Sequence, residues 1–148
     1  MQNLEITLTY KRQERSKDSN GSKEIYVIRD NKVIFEDEHW GFKSKNIPVI
    51  KKTQNLTEED TTEIYNYLHE NSLLKNINKK IKQPRVPYVI YDYKLQIVTE
   101  KDSYLITVQD SNNRKQSFSI SIPGINKKKQ SAFEKVDSFR SILNMRLI

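Results

Sequence analysis

From Tyr91 to Ile97 apolar and polar side chains alternate without a break. Tyr91, Tyr93, Leu95 and Ile97 fall on one parity, and Asp92, Lys94 and Gln96 fall on the other. A period of two sends one set to a buried face and the other to water, so the stretch predicts a β-strand. The run Y-L-I-T-V-Q at 104–109 is a second strand. A third is read where Phe118, Ile120 and Ile122 alternate with Ser117, Ser119 and Ser121. The segments between them, 99–103 and 110–115, are rich in turn formers, which makes 88–122 a three-strand meander. Tyr91 and Tyr93 share their parity with Leu95 and Ile97 and are therefore expected in the core.

The same alternation opens the chain. Leu4, Ile6, Leu8 and Tyr10 are separated by Glu5, Thr7 and Thr9, a first strand with one buried face. Residues 11–23 hold no apolar side chain and include Asn20-Gly21, which predicts a mobile polar loop. Ile25–Ile28 and Val33–Phe35 form a hairpin around Asp30-Asn31, two residues that tolerate the positive φ of a tight turn. Pro48-Val49-Ile50 reads as a short edge strand. An edge from Ile47 to Ile50 leaves both a monomer and a homodimer open.

At Thr57 the period changes. Thr57 is an N-cap, Glu58, Glu59 and Asp60 place negative charge at the positive end of a helix, and Ile64, Tyr65 or Tyr67, and Leu68 follow at helical spacing. The helix is expected to end near Asn71. Residues 75–87 read as a basic linker closed by prolines. Ser131 and Glu134 then make a capping box for a second helix, with Ala132, Val136, Phe139 and Leu143 on its apolar face. The order is β-β-β-(β)-α-β-β-β-α. Runs of strands closed by helices predict one α+β domain over residues 1–148, with a mostly antiparallel sheet of about six strands and two helices packed on one face.

Composition removes whole classes of chemistry. The chain has no cysteine, which excludes disulfides and thiolate metal sites. No window approaches the ~20 apolar residues of a membrane span, and the first residues carry neither a basic start nor an apolar run. A cytoplasmic protein without a membrane partner is the expectation, with a leader outside this sequence left open. No G-x-G-x-x-G, P-loop, H-E-x-x-H or G-x-S-x-G motif occurs, and the three glycines, at 21, 41 and 124, are too few for the usual phosphate-cradling loop. The expectation is a non-enzymatic protein that uses no cofactor. The net charge of +7 is uneven. Residues 1–72 hold 11 Lys/Arg against 13 Asp/Glu, and residues 73–148 hold 15 against 6.

Two candidate surfaces follow. The segment E-D-E-H-W-G-F sets Trp40 and Phe42 beside Glu36, Asp37 and Glu38, a combination suited to a protein-binding loop with aromatic anchors. The competing reading folds Trp40 and Phe42 back onto the core. Glu36, Glu38 and His39 offer metal-type ligands, but a single clustered His makes no metal site. The second surface is basic. Lys79, Lys80, Lys82 and Arg85, with Lys127, Lys128 and Lys129, would suit nucleic acid, or else reflect a lysine-rich composition.

The stretch N-L-T-E-E-D-T-T-E-I-Y-N-Y-L-H-E-N-S-L-L at 55–74, followed by Y-D-Y-K-L-Q-I at 91–97, a short hairpin and a C-terminal helix, resembles the emfourin-like small α+β proteins over about residues 55–147. Emfourin is a protein inhibitor of thermolysin-like metallopeptidases. The resemblance implies a protein-binding module of the inhibitor or accessory-regulator kind, with its target open. No inhibitory residue carries over, and residues 1–50 depart from the family's short start by an extra hairpin and a polar loop.

Overall fold

The computed structural model describes residues 3–15, 20–41, 47–81, 89–112 and 131–147. The elements are β1 (Glu5–Glu14), β2 (Gly21–Arg29), β3 (Lys32–Trp40), β4 (Ile50–Asn55), α1 (Glu58–Glu70), β5 (Ile77–Lys79), β6 (Val89–Val98), β7 (Ser103–Asn112) and α2 (Ala132–Met145). The strands form one sheet in the order β4-β3-β2-β1-β6-β7-β5. Every pairing is antiparallel except that of β5 with β7. The α+β class and the two helices agree with the sequence reading, while the sheet has seven strands among the described residues in place of about six.

One parity of the sheet makes the core. Ile6 and Leu8 of β1 lie opposite Ile28 and Tyr26 on one side and Ile97 and Leu95 on the other. Val33, Phe35, Ile106 and Val108 extend the same face, and Ile64 and Leu68 of α1 with Val136, Phe139 and Leu143 of α2 cover it in a single cluster. The helices run antiparallel. Tyr67 of α1 donates to the Lys135 carbonyl at 2.7 Å and stacks on Phe139, while Arg146 at the end of α2 pairs with Asp60 and Glu63 in the first turns of α1. On the other parity stand Thr7, Thr9, Lys11 and Gln13 of β1, with Lys94, Gln96, Thr107 and Gln109 beyond them. No described helix lies over that second face, which is called the open face below.

The local signals worked where a single residue carries the geometry. Asp30 and Asn31 turn the β2–β3 hairpin with φ of 53° and 59°. Thr57 caps α1 in a complete capping box with Asp60. Ser131 caps α2 by accepting from the Glu134 amide at 3.1 Å. At the end of α1 the Ser72 amide donates to the His69 carbonyl and the Leu73 amide to the Leu68 carbonyl. That is a Schellman closure with Ser72 at φ 57°, where glycine is the usual occupant. Leu68 and Leu73, both fully buried, supply its apolar contact.

Three expectations are corrected. The loop read at 11–23 is mostly strand: Lys11, Arg12 and Gln13 pair with Lys23, Ser22 and Gly21, and on their other side with Asp92, Tyr91 and Ile90. Two backbone ladders hold this polar stretch, and a reading based on apolar periodicity is blind to them. The linker read at 75–87 contains β5, where Asn76 just before the strand and Asn78 within it accept bonds from the Leu105 amide (2.8 Å) and the Thr107 hydroxyl (3.0 Å) of β7. The edge strand expected at Pro48–Ile50 begins only at Ile50 and runs to Asn55. The expected strand at 118–122 lies outside the described residues.

Candidate functional site

The segment from Glu36 to Trp40 belongs to β3, and a strand alternates its side chains. Glu36, Glu38 and Trp40 have the parity of the open face, whereas Asp37 and His39 have that of Val33 and Phe35. His39 Nε2 lies 3.2 Å from Asp37 Oδ2 on the helix-bearing side. The five protein-binding candidates therefore do not form one surface: Glu36, Glu38 and Trp40 stand together, Asp37 is on the other side of the sheet, and Phe42 lies outside the described residues. Glu36 and Glu38 are likewise separated from His39 by the sheet. No group of three metal-type ligands is found among the described residues.

Trp40 does not fold back onto the core. It is half-buried, yet it lies on the open face. Gly21 sits directly between Trp40 and Gln13 in the register. A Cβ on Gly21 would stand 2.5 Å from indole atoms Cε2 and Cζ2, so the ring lies flat across the glycine. Its Nε1 reaches past Gly21 and donates to Gln13 Oε1 at 3.0 Å. The Lys11 ammonium stands 5.8 Å from the ring centroid, within the range of a cation–π contact. The indole is thus seated on bare backbone and pinned at one edge. Close by, Gly41 (φ 105°) packs so near Asn20 that a Cβ would meet the Asn20 oxygen at 2.3 Å. Only glycine suits both positions.

Lysines cluster on this face. Across the strands the register reads Glu38, Lys23, Lys11, Asp92, Gln109. Lys11, Lys80 and Lys94 line a groove of about 310 Å³ floored by Thr9 and Thr107. Its one carboxylate, Asp92, accepts a hydrogen bond from Gln109 Nε2. Of the predicted basic residues, Lys80 joins this groove, while Lys79 has the parity of Val108 on the helix-bearing side. Lys82, Arg85, Lys127, Lys128 and Lys129 lie outside the described residues. The strand ends that adjoin residues 82–88 and 113–130 are neighbours, since Val89 pairs with Asn112.

A second cluster lies on the helix-bearing face and escaped sequence reading. Arg140 of α2 clasps Glu24 of β2 with two bonds, Nε to Oε1 at 3.0 Å and Nη2 to Oε2 at 2.7 Å. Its guanidinium carbon is 4.2 Å from the centroid of Tyr10. Tyr26 donates to Glu24 Oε1 at 2.7 Å, and Tyr93 donates to Asp137. Burial pushes the Tyr10 hydroxyl up to about 12. Burial, and then the bonds to Glu24 and Asp137, raise Tyr26 and Tyr93 as well. Burial by itself would lower Arg140, but its bonds with Glu24 outweigh that and hold it above the ordinary arginine value. The tyrosines stay neutral and the arginine charged at any ordinary pH. This suits a clamp between α2 and the sheet. No sequence signal could have found it, because Glu24 and Arg140 are joined only by the tertiary fold.

No helix among the described residues is long and apolar enough to cross a membrane. In comparisons with known proteins, no family model, no curated protein and no solved structure matches the chain.

Proposed function

We propose that the chain is a non-enzymatic protein-binding module, of the inhibitor or accessory-regulator kind, that engages its partner around Trp40 on the open face. The observation that carries this reading is the seating of the indole. Binding normally costs the ordering of an exposed side chain, and an aromatic already held in one pose avoids that cost. Tryptophans of this kind dominate protein interfaces. Gln13 and Gly21 hold Trp40 in that pose before any partner arrives. The emfourin resemblance points the same way.

The second reading is nucleic-acid binding, favoured by the convergence of Lys11, Lys80 and Lys94 on one groove beside Trp40. A lysate capture separates the two readings. The immobilised wild type and Trp40→Ala are compared with and without nuclease, at low and moderate salt. A discrete protein that survives nuclease and moderate salt and is lost with Trp40→Ala supports the first reading. Nucleic acid that is released at moderate salt, through counterion re-association, supports the second.

A further inference from the structure

We propose that β4 is the docking edge for an extended acidic segment of a partner protein, which adds to the sheet as an eighth strand; this deepens the protein-binding reading and rests on it. β4 ends the sheet and pairs with β3 alone. Among the described residues its outer edge has no partner, and its outward amides and carbonyls present the ladder that an added strand would extend. All six residues of β4 are exposed, as are residues 47–49 before it. The strand therefore projects past the helix layer with both faces and one edge in reach. Ile47, Val49 and Ile50 are 45%, 52% and 41% exposed, an apolar run unusual for an edge left in water. The far edge is treated differently: β5 is only three residues long.

Charge selects the occupant. Lys51 and Lys52 are consecutive, so one ammonium stands on each face of the strand. Neither is ion-paired to a described residue. Lysines on an edge disfavour neutral strands, whose docking would desolvate an unpaired charge, and repel basic ones, and a second copy of β4 paired about Lys52 would set lysine against lysine. The same device admits a strand with carboxylates opposite both positions, and so discriminates between partners by repulsion as well as attraction. The register then dictates the ligand: two adjacent acidic residues within a β-prone stretch, with an apolar residue next to the pair to meet Ile50.

The test uses a fluorescein-labelled ten-residue peptide with a glutamate–aspartate pair among valines and threonines, and a twin in which two lysines replace the pair. Fluorescence anisotropy is read with the wild type and with the Lys51→Glu, Lys52→Glu double variant, whose positions are exposed and spare the core. The acidic peptide is expected to bind the wild type, to lose affinity by at least about tenfold on the double charge reversal, and to lose it again when alternate peptide amides are methylated. The lysine twin is expected to prefer the double variant. Absence of acidic-peptide binding, equal binding of both peptides, or indifference to the reversal overturns the proposal. Sedimentation showing a dimer that the double charge reversal dissociates overturns it too, in favour of a second copy as occupant. The peptide assay reads β4 and the lysate capture reads Trp40, so failure at one is told apart from failure at the other.

Discussion

At the scale of single residues, the geometry around Trp40 depends on an atom that is missing. Gly21 lacks the Cβ that would collide with the indole at 2.5 Å. Gly21→Ala is expected to lift the ring, break its bond to Gln13, and cost about 1–3 kcal/mol through overpacking. Trp40 is the sole tryptophan, so its fluorescence will shift toward that of a solvated indole while a urea titration reads the loss of stability. Ser72 is the opposite case. It holds a left-handed φ that disfavours any side chain, and its own side chain bonds to no described residue. Ser72→Gly should raise the urea midpoint, by about 0.5–1 kcal/mol in stability once the added chain entropy is set against the relieved strain.

At the scale of elements, what could be read in the sequence follows the range of the interaction. Thr57, Ser131 and the Asp30-Asn31 turn are local: each specifies its neighbours' backbone within a few residues, and each was legible. β6 and the first half of β1 were legible because burial on one face writes itself as alternation. The second half of β1 was not, because Arg12, Gln13 and Glu14 are held by ladders on both sides and need no greasy face. β5 was missed because its three residues are too few for an alternation to show. Of the candidate site, Trp40 was found by residue type alone. Its partners Gln13 and Gly21 were hidden in a segment read as a loop, and the parity that parts Asp37 from Glu36 and Glu38 shows only once 32–40 is a strand. The Arg140 clamp joins α2 to β2 across the whole chain. Arg140→Ala strands the half-buried Glu24 carboxylate and should cost about 2–3 kcal/mol in urea unfolding. The paired change Arg140→Met with Glu24→Leu should cost less than the single one, because no charge is left behind.

At the scale of the molecule, two faces and two edges divide the work. The helix-bearing face takes the core and the clamp. The open face takes the lysines and Trp40, where nothing described competes for contact. The edges differ in length, and the longer one carries two consecutive lysines. The arrangement of strands has one further consequence. β1 is the first strand in the chain and the middle one in the sheet, flanked by β2 and β6. Its partner on the β6 side is complete only at Val98. At ordinary ribosomal speed the interval between the end of β3 at Trp40 and Val98 is about 3–12 s. During that time a finished meander of β1, β2 and β3 exposes Ile6, Leu8 and Tyr10 beside an unpaired backbone. A neighbouring nascent chain offers the same β6 in the same register, so translation on crowded polysomes is when this protein is most prone to exchange strands between copies.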